Sequence, residues 1–365
     1  MISFVSAYIG KFLKMKIAAI TGSATLPSSR FRVRQHLRAL LAQGVVVTDF
    51  PQPFGAESLL GQLPSGKKIR EIPSVWLRAG YLEARQAASI ARKALLSHRY
   101  DVTWLSREMY AGYLTGEILL KKPLIFDVDD AIWLNEPMGS RVSEHVARRA
   151  KLIIAGNNYI AEWFSAINSN IEVIPTAVDT DTYTPAPRNR DDFTIGWIGT
   201  SSNFDSLNLV ADPIRRFLEK FRGTRFLVVS DKRPALMQKL PDRVVFRSWS
   251  ESAEVSDIAS FDIGIMPLID NKWSRGKCSF KMLQYMACGV PFVASPVGMN
   301  GQIIRDHGCG IAAVTGDDWY GAISALYQDQ QLREELATKG RNTVCKEFSS
   351  HRIAQRLAEV FRRAV

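Results

Sequence analysis

The sequence predicts an α/β protein of two doubly wound domains, and three observations carry that expectation. Short apolar runs rich in β-branched residues alternate with amphipathic stretches along the whole chain. The runs are apolar at successive positions, which marks strands buried on both faces of a parallel sheet covered by helices. The pattern halts once, at the polar, proline-bearing stretch TAVDTDTYTPAPRNRDD, and then restarts. At about 150 residues per domain, a chain of 365 residues accommodates two domains.

In chain order, the first domain is expected over 15–178, with strands at KIAAIT, VVVTDF, DVTWLS, PLIFDV, KLIIAG and IEVIP. Helical patterns fall between them, at Tyr81 to His98 and Met109 to Leu120 among others. The second domain is expected over 193–349, with strands at FTIGWIG, RFLVVS, RVVFRS, FDIGIMPL, VPFVAS and GIAAV. A last helix over 350–365 is expected to pack back on the first domain. Residues 1–14 (MISFVSAYIGKFLK) are expected to be a misassigned start rather than an amphipathic anchor; the stretch is too short for a signal peptide and has no small-residue cleavage site.

Hydrophobic residues make up 46% and charged residues 23%, which excludes a disordered, collagen-like or coiled-coil chain. Cys278, Cys288, Cys309 and Cys345 form no C-x-x-C pair and read as reduced thiols of a cytoplasmic protein. No apolar run reaches the roughly 20 residues that span a bilayer. The net charge of +11 points to an anionic partner. Arg30, Arg32, Arg34 and Arg38 read as one early amphipathic helix. Aromatic RNP runs and zinc spacings are missing, so the expected partner is a membrane surface or a sugar-nucleotide phosphate rather than nucleic acid.

Open parallel sheets bind ligands at the carboxyl ends of their strands, and two such sheets facing each other would enclose a cleft. The densest constellation there is Asp262 to Asn300. A strand ends at Pro267, a basic loop with Arg275, Gly276, Lys277 and Cys278 follows, and a helix starts near Ser279 and Phe280 and ends at Cys288-Gly289. A second strand leads to a turn at Gly298 and a helix from Asn300. Two helix N-termini after two strands offer N–H groups and positive dipole ends to an anion. Lys277 and Lys281 are either solvated or bound to a diphosphate, and the glycine turn favours the diphosphate.

The helix and strand read LQYMACGVPFVAS, which resembles the donor-binding region of glycosyltransferase family 4, retaining enzymes of GT-B architecture. GSATLPSSRFRVRQ, PLIFDVDDAIW, AGNNYIAEWF, VIPTAVDTDTY, IGWIGTSSN, Trp319 and DQQLREELATKGR resemble the family in the same order. The family's Glu-x7-Glu pair falls on Gly276 and Gln284. The resemblance implies that Gln284 meets the nucleotide ribose through its amide oxygen, a weaker acceptor than carboxylate. It implies that backbone groups of the Gly276 to Phe280 loop, or groups elsewhere, recognise the sugar. The cations usual after the second domain's first strand are missing from Gly199, Thr200, Ser201, Ser202 and Asn203, so the phosphate charge falls to Lys277 and Lys281, helped by Arg275. Trp249 lies near where the family holds the base; a core or rim role is the commoner one for such a residue.

In the first domain, Asp127, Asp129 and Asp130 follow a strand, as an exposed acidic turn, a metal site or acids that bind sugar hydroxyls. Asp129 and Asp130 are expected to bind acceptor or donor hydroxyls, one of them in the part that a histidine plays in many relatives. Ser28, Ser29, Arg30 and Arg32 open the first helix and could meet an acceptor phosphate or the donor diphosphate. Asn157, and Thr176 with Asp179, are either site polar groups or, for Asn157 and Asp179, helix caps and turn residues. The five histidines have no metal-ligand spacing. The resemblance therefore implies a glycosyltransferase that moves a sugar from a UDP- or GDP-type nucleotide-sugar to a glycan, lipid or other envelope acceptor, with retention and without metal or cofactor. A sugar-nucleotide epimerase and a non-catalytic nucleotide-sugar-binding protein are the alternatives.

Overall fold

The structure, a computed structural model, describes residues 15–23, 26–52, 73–187 and 192–365. Residues 1–14 lie outside them. The described residues form two compact units, one running to Thr176 and including Ile353–Val365, the other within Ala177–Arg352. Each is built on one six-stranded sheet whose paired strands all run parallel.

The first sheet holds β1 (Met15–Ser23), β2 (Val45–Gln52), β3 (Val102–Ser106), β4 (Leu124–Val128), β5 (Leu152–Ala155) and β6 (Ile171–Val173) in the order β2-β1-β3-β4-β5-β6. β3, β4 and β5 are buried at every residue, as continuous apolar runs require. The helix Ser350–Ala364 sends Phe361 against Trp104 of β3, ring centroids 5.0 Å apart. Among the described residues no helix is long and apolar enough to cross a membrane.

The second sheet holds β7 (Phe193–Ile198), β8 (Thr224–Ser230), β9 (Val244–Ser248), β10 (Ile263–Met266), β11 (Phe292–Ala294) and β12 (Ile311–Ala312) in the order β12-β11-β10-β7-β8-β9. Its core joins Ile195 and Trp197 of β7 to Ile214, Phe217, Trp319 and Ile323 on the covering helices.

Two expected helices differ. Met109–Leu120 forms turns ending in a short 3₁₀ segment, Glu117–Leu119. Gly112 has a φ of 74°, and the buried Glu117 carboxylate accepts from the Met109 and Thr115 N–H groups at 2.8 and 2.7 Å, folding the segment around itself. The arginine-rich segment is broken into a π-helical turn (Ser29–Val33), a 3₁₀ turn (Arg34–His36) and an α-helix (Leu37–Ala42). The four arginines therefore do not share one exposed face: Arg32 is buried, Arg34 pairs with Asp49 at 2.6 Å, and Arg38 is exposed.

A buried lysine lies beside the end of β2. Lys93, on the helix Pro73–Ser97, donates to Gln52 Oε1 at 2.9 Å, and burial pulls its pKa down to about 8 against the attraction of Asp49. Above that pH the folded chain holds a neutral amine, while the unfolded chain keeps its proton to about 10.5. Stability contributed at this site should therefore rise with pH between about 8 and 10.5. Lys93→Met should gain about 1 to 3 kcal/mol at pH 7 and lose that rise. Urea unfolding at pH 7, 8.5 and 10 checks it; parallel pH profiles for variant and wild type would refute it.

Candidate functional site

Chain order runs outward in both directions from the neighbouring strands β7 and β10. A parallel sheet of this order opens a crevice between the loops that leave those two strands. The loop after β7 carries Gly199, Thr200, Ser201, Ser202 and Asn203; Asp231, just past β8, braces it by accepting from Ser201 N and Oγ at 2.6 and 2.8 Å. Burial raises the Asp231 pKa, but these Ser201 bonds outweigh it and hold the carboxyl below its ordinary value.

The loop after β10 leads to the helix Phe280–Ala287, and the turn after β11 leads to the helix Met299–His307. The N-cap residues of both helices have positive φ, 54° at Ser279 and 54° at Gly298. For Ser279 this is an uncommon conformation that its surroundings must impose. At Gly298 any side chain is shut out, since a Cβ would lie 2.6 Å from the Arg275 carbonyl oxygen. Ser279 Oγ donates to Asn300 Oδ1 at 2.6 Å and Asn300 Nδ2 donates to the Ser295 carbonyl at 3.1 Å, so the two helix starts are fastened side by side.

The lysines bring charge to the β7 loop from across the crevice. Lys277 Nζ donates to Asn203 Oδ1 at 2.6 Å. Lys281 Nζ stands 5.7 Å from the Trp197 ring centroid, and a Cβ on Gly199 would lie 2.6 Å from Lys281 Cε. The sequence shows no cation in the β7 loop, yet in space two are delivered to it. Arg275 turns onto Asp270, with bonds of 2.7 and 3.0 Å. Cys278 is buried, and Phe280 opens the helix beside Lys281.

Gln284 is buried and points at a carboxylate. Its Nε2 donates to Glu254 Oε1 at 3.0 Å and to Tyr183 Oη at 3.2 Å, and Tyr183 Oη also donates to Glu254. Trp249, 42% exposed at the end of β9, donates its indole N–H to Glu254 Oε2 at 2.7 Å and is a rim rather than a core residue. Sequence reading missed Glu254 and Tyr183 because they lie 30 and 101 residues from Gln284.

In the first sheet the corresponding strands are β1 and β3. Arg32 donates to Asp127 Oδ1 from Nε at 3.1 Å and Nη2 at 2.6 Å, and from Nη1 to the Ile174 carbonyl at 2.9 Å; Thr176 Oγ1 lies 3.5 Å from Nη1. Trp104 donates to Asp127 Oδ2 at 3.0 Å. Burial pushes the Asp127 pKa up while Arg32 and the indole pull against it. The acids are thus not an exposed turn: Asp127 is internal, and Asp129 and Asp130 are both held by Arg107. Ser28 makes no side-chain cap; Ser29 Oγ is buried with no partner among the described residues; Arg30 lies 4.6 Å over the Phe31 ring. Asn157 caps the helix Asn158–Ser165 by accepting from Ile160 N at 2.9 Å, and Asp179 accepts from Asp181 N at 3.1 Å and Thr182 Oγ1 at 2.7 Å within its own turn.

Residues 192–329 match the family described as glycosyl transferases group 1. N-acetyl-alpha-D-glucosaminyl L-malate synthase of Bacillus anthracis is 25% identical over 171 residues, which cover 44% of this chain and 43% of that protein. The match thus spans less than half the length of this curated relative. Among solved structures, Anabaena HepE in complex with UDP superposes with a TM-score of 0.70 at 17% identity, over 96% of this chain and 100% of that one. Sucrose-phosphate synthase from Thermosynechococcus elongatus gives 0.69 at 14% identity, over 96% and 98%. The fold is GT-B. The family match falls within the second unit, Ala177–Arg352.

Proposed function

We propose that the protein transfers a sugar from a UDP-sugar to an acceptor hydroxyl, with the second unit holding the donor. The paired starts of the helices Phe280–Ala287 and Met299–His307, fastened by Ser279 and Asn300 and flanked by Lys277 and Lys281, carry this reading. Such a site suits a leaving diphosphate: N–H groups, dipole ends and two ammonium groups converge where negative charge grows as the bond breaks. UDP as the nucleotide is supported by HepE, which is solved with UDP and with UDP-glucose. The acceptor oxygen bonds to the anomeric carbon as the bond to the diphosphate breaks, and the acceptor proton leaves with the diphosphate. Retention is what the resemblance to glycosyltransferase family 4 implies. Gln284, beside Glu254 and Trp249, faces the nucleoside, while Asp129 and Asp130 of the first unit bind hydroxyls of the acceptor.

Incubation with a panel of nucleotide sugars, with and without membrane extract as acceptor source, tests the reading. UDP release that depends on the extract supports transfer. An isomerised sugar without release would make the protein an epimerase, and binding without either would make it a non-catalytic receptor. Because lysines and helix ends take the diphosphate charge and Arg107 occupies Asp129 and Asp130, transfer is expected to persist in excess EDTA. Loss of turnover restored by magnesium or manganese would move leaving-group stabilisation to a metal.

A further inference from the structure

Arg107 is the residue immediately after β3, at a φ of 61°. A non-glycine residue stays in that region only when its surroundings impose it, and such positions gather at functional sites. Here the imposition is visible. The Arg107 backbone N–H donates to the Asp127 carbonyl at 2.8 Å, Nε donates to Asp129 Oδ1 at 2.5 Å, and Nη2 donates to Asp130 Oδ2 at 2.6 Å. One guanidinium thus holds two carboxylates that are adjacent in the chain. The cluster is not sealed, since the Arg107 and Asp130 side chains are 29% and 22% exposed, against 10% for Asp129. That gradient leaves Asp130 as the acid a ligand reaches first.

We propose that Arg107 is a positioning residue that fixes the orientation of Asp129 and Asp130 for the hydroxyl of an acceptor sugar. This rests on the placement of those two acids at the acceptor. The left-handed backbone turns the arginine from the end of β3 onto the end of β4. A planar fork gripping through separate nitrogens sets direction as well as charge, which a lysine cannot do. The charged groups around the pair are Arg107 and Glu108 after β3, Arg32 from the turn after β1, and Asp127 at the end of β4. Burial pushes the Asp129 carboxyl up, but Arg107, with help from Arg32, outweighs it and holds the group below its ordinary value.

Arg107→Met and Arg107→Lys test the role, with UDP-sugar turnover in membrane extract, UDP affinity by calorimetry and thermal unfolding measured for each. Arg107→Met should lower kcat on the order of 100-fold. UDP affinity should stay within about twofold, because the groups assigned to the diphosphate lie in the second unit. The acid limb of its kcat–pH profile should move to higher pH, since carboxylates without a cation protonate more readily. Arg107→Lys should restore part of the turnover and most of the pH shift, and it carries the test if Arg107→Met does not fold. Undiminished kcat in a folded variant overturns the role, as does a loss of kcat with an unmoved acid limb. A wild type that releases no UDP from any sugar nucleotide overturns the glycosyltransferase reading and this role together. An active wild type with an equally active Arg107→Met overturns the Arg107 role alone.

Discussion

Lys281→Ala is expected to bind UDP about 10- to 150-fold more weakly than wild type, a loss of about 1.5 to 3 kcal/mol. The ammonium stands in the first turn of the helix Phe280–Ala287, where a cation opposes the helix dipole. A diphosphate at the helix start, as proposed, would resolve that conflict, since dipole and lysine would then attract the same group. Lys277→Ala should cost a similar amount. It removes a cation and also unties the β10 loop from Asn203, held at 2.6 Å. Calorimetric titration of UDP into both variants decides the matter, with Lys281→Met as a control that keeps the aliphatic stem against Trp197. Wild-type affinity in both alanine variants would remove the diphosphate from this loop.

The largest stability effect is expected from the Arg32–Asp127 pair, whose side chains are 3% and 1% exposed. Asp127→Ala would leave a buried guanidinium and the Trp104 indole N–H without their carboxylate, at a cost of about 3 to 5 kcal/mol. Domains are commonly stable by only about 5 to 15 kcal/mol, so this variant should approach unfolding at ordinary temperatures. Arg32→Ala should do nearly as much. The double variant Arg32→Met/Asp127→Leu should recover most of the loss, because the main cost of either single change is the charge left behind. Urea midpoints of the four proteins provide the measurement. A loss under about 1 kcal/mol in Asp127→Ala would mean that water or another group satisfies Arg32.

Both-face burial made inner strands such as β3, β4, β5 and β10 legible, since a run such as PLIFDV has one reading in a parallel sheet, while the partly buried edge strands β2, β6, β9 and β12 were legible from their β-branched runs. The helix starts near Ser279 and Asn300 were legible for a similar reason: apolar runs, a glycine and polar residues fall within a few positions of one another. Contacts between distant chain positions were not. Arg32 looks like one of four surface arginines until its partner, 95 residues on, is in place. Met109–Leu120 has a helical pattern, and only the buried Glu117 carboxylate shows why it turns instead. Arg107 carried no signal at all, because neither a left-handed φ nor a partnership with two acids is written in local composition. Gln284 shows the same limit at the candidate site: its own side chain is neutral, while the neighbouring carboxylate comes from another helix, from Glu254.

The contact between Lys281 and Trp197 bears on the thermodynamics of binding. A free lysine stem loses about 1.5 to 2 kcal/mol of rotamer freedom when a ligand immobilises it. In this protein the ammonium already rests 5.7 Å from an indole centroid, and its Cε already occupies the space that a side chain at position 199 would take. Part of the ordering is therefore complete before a ligand arrives, and capture of the proposed diphosphate would cost correspondingly less entropy. The missing side chain of Gly199 is what lets the lysine wait there.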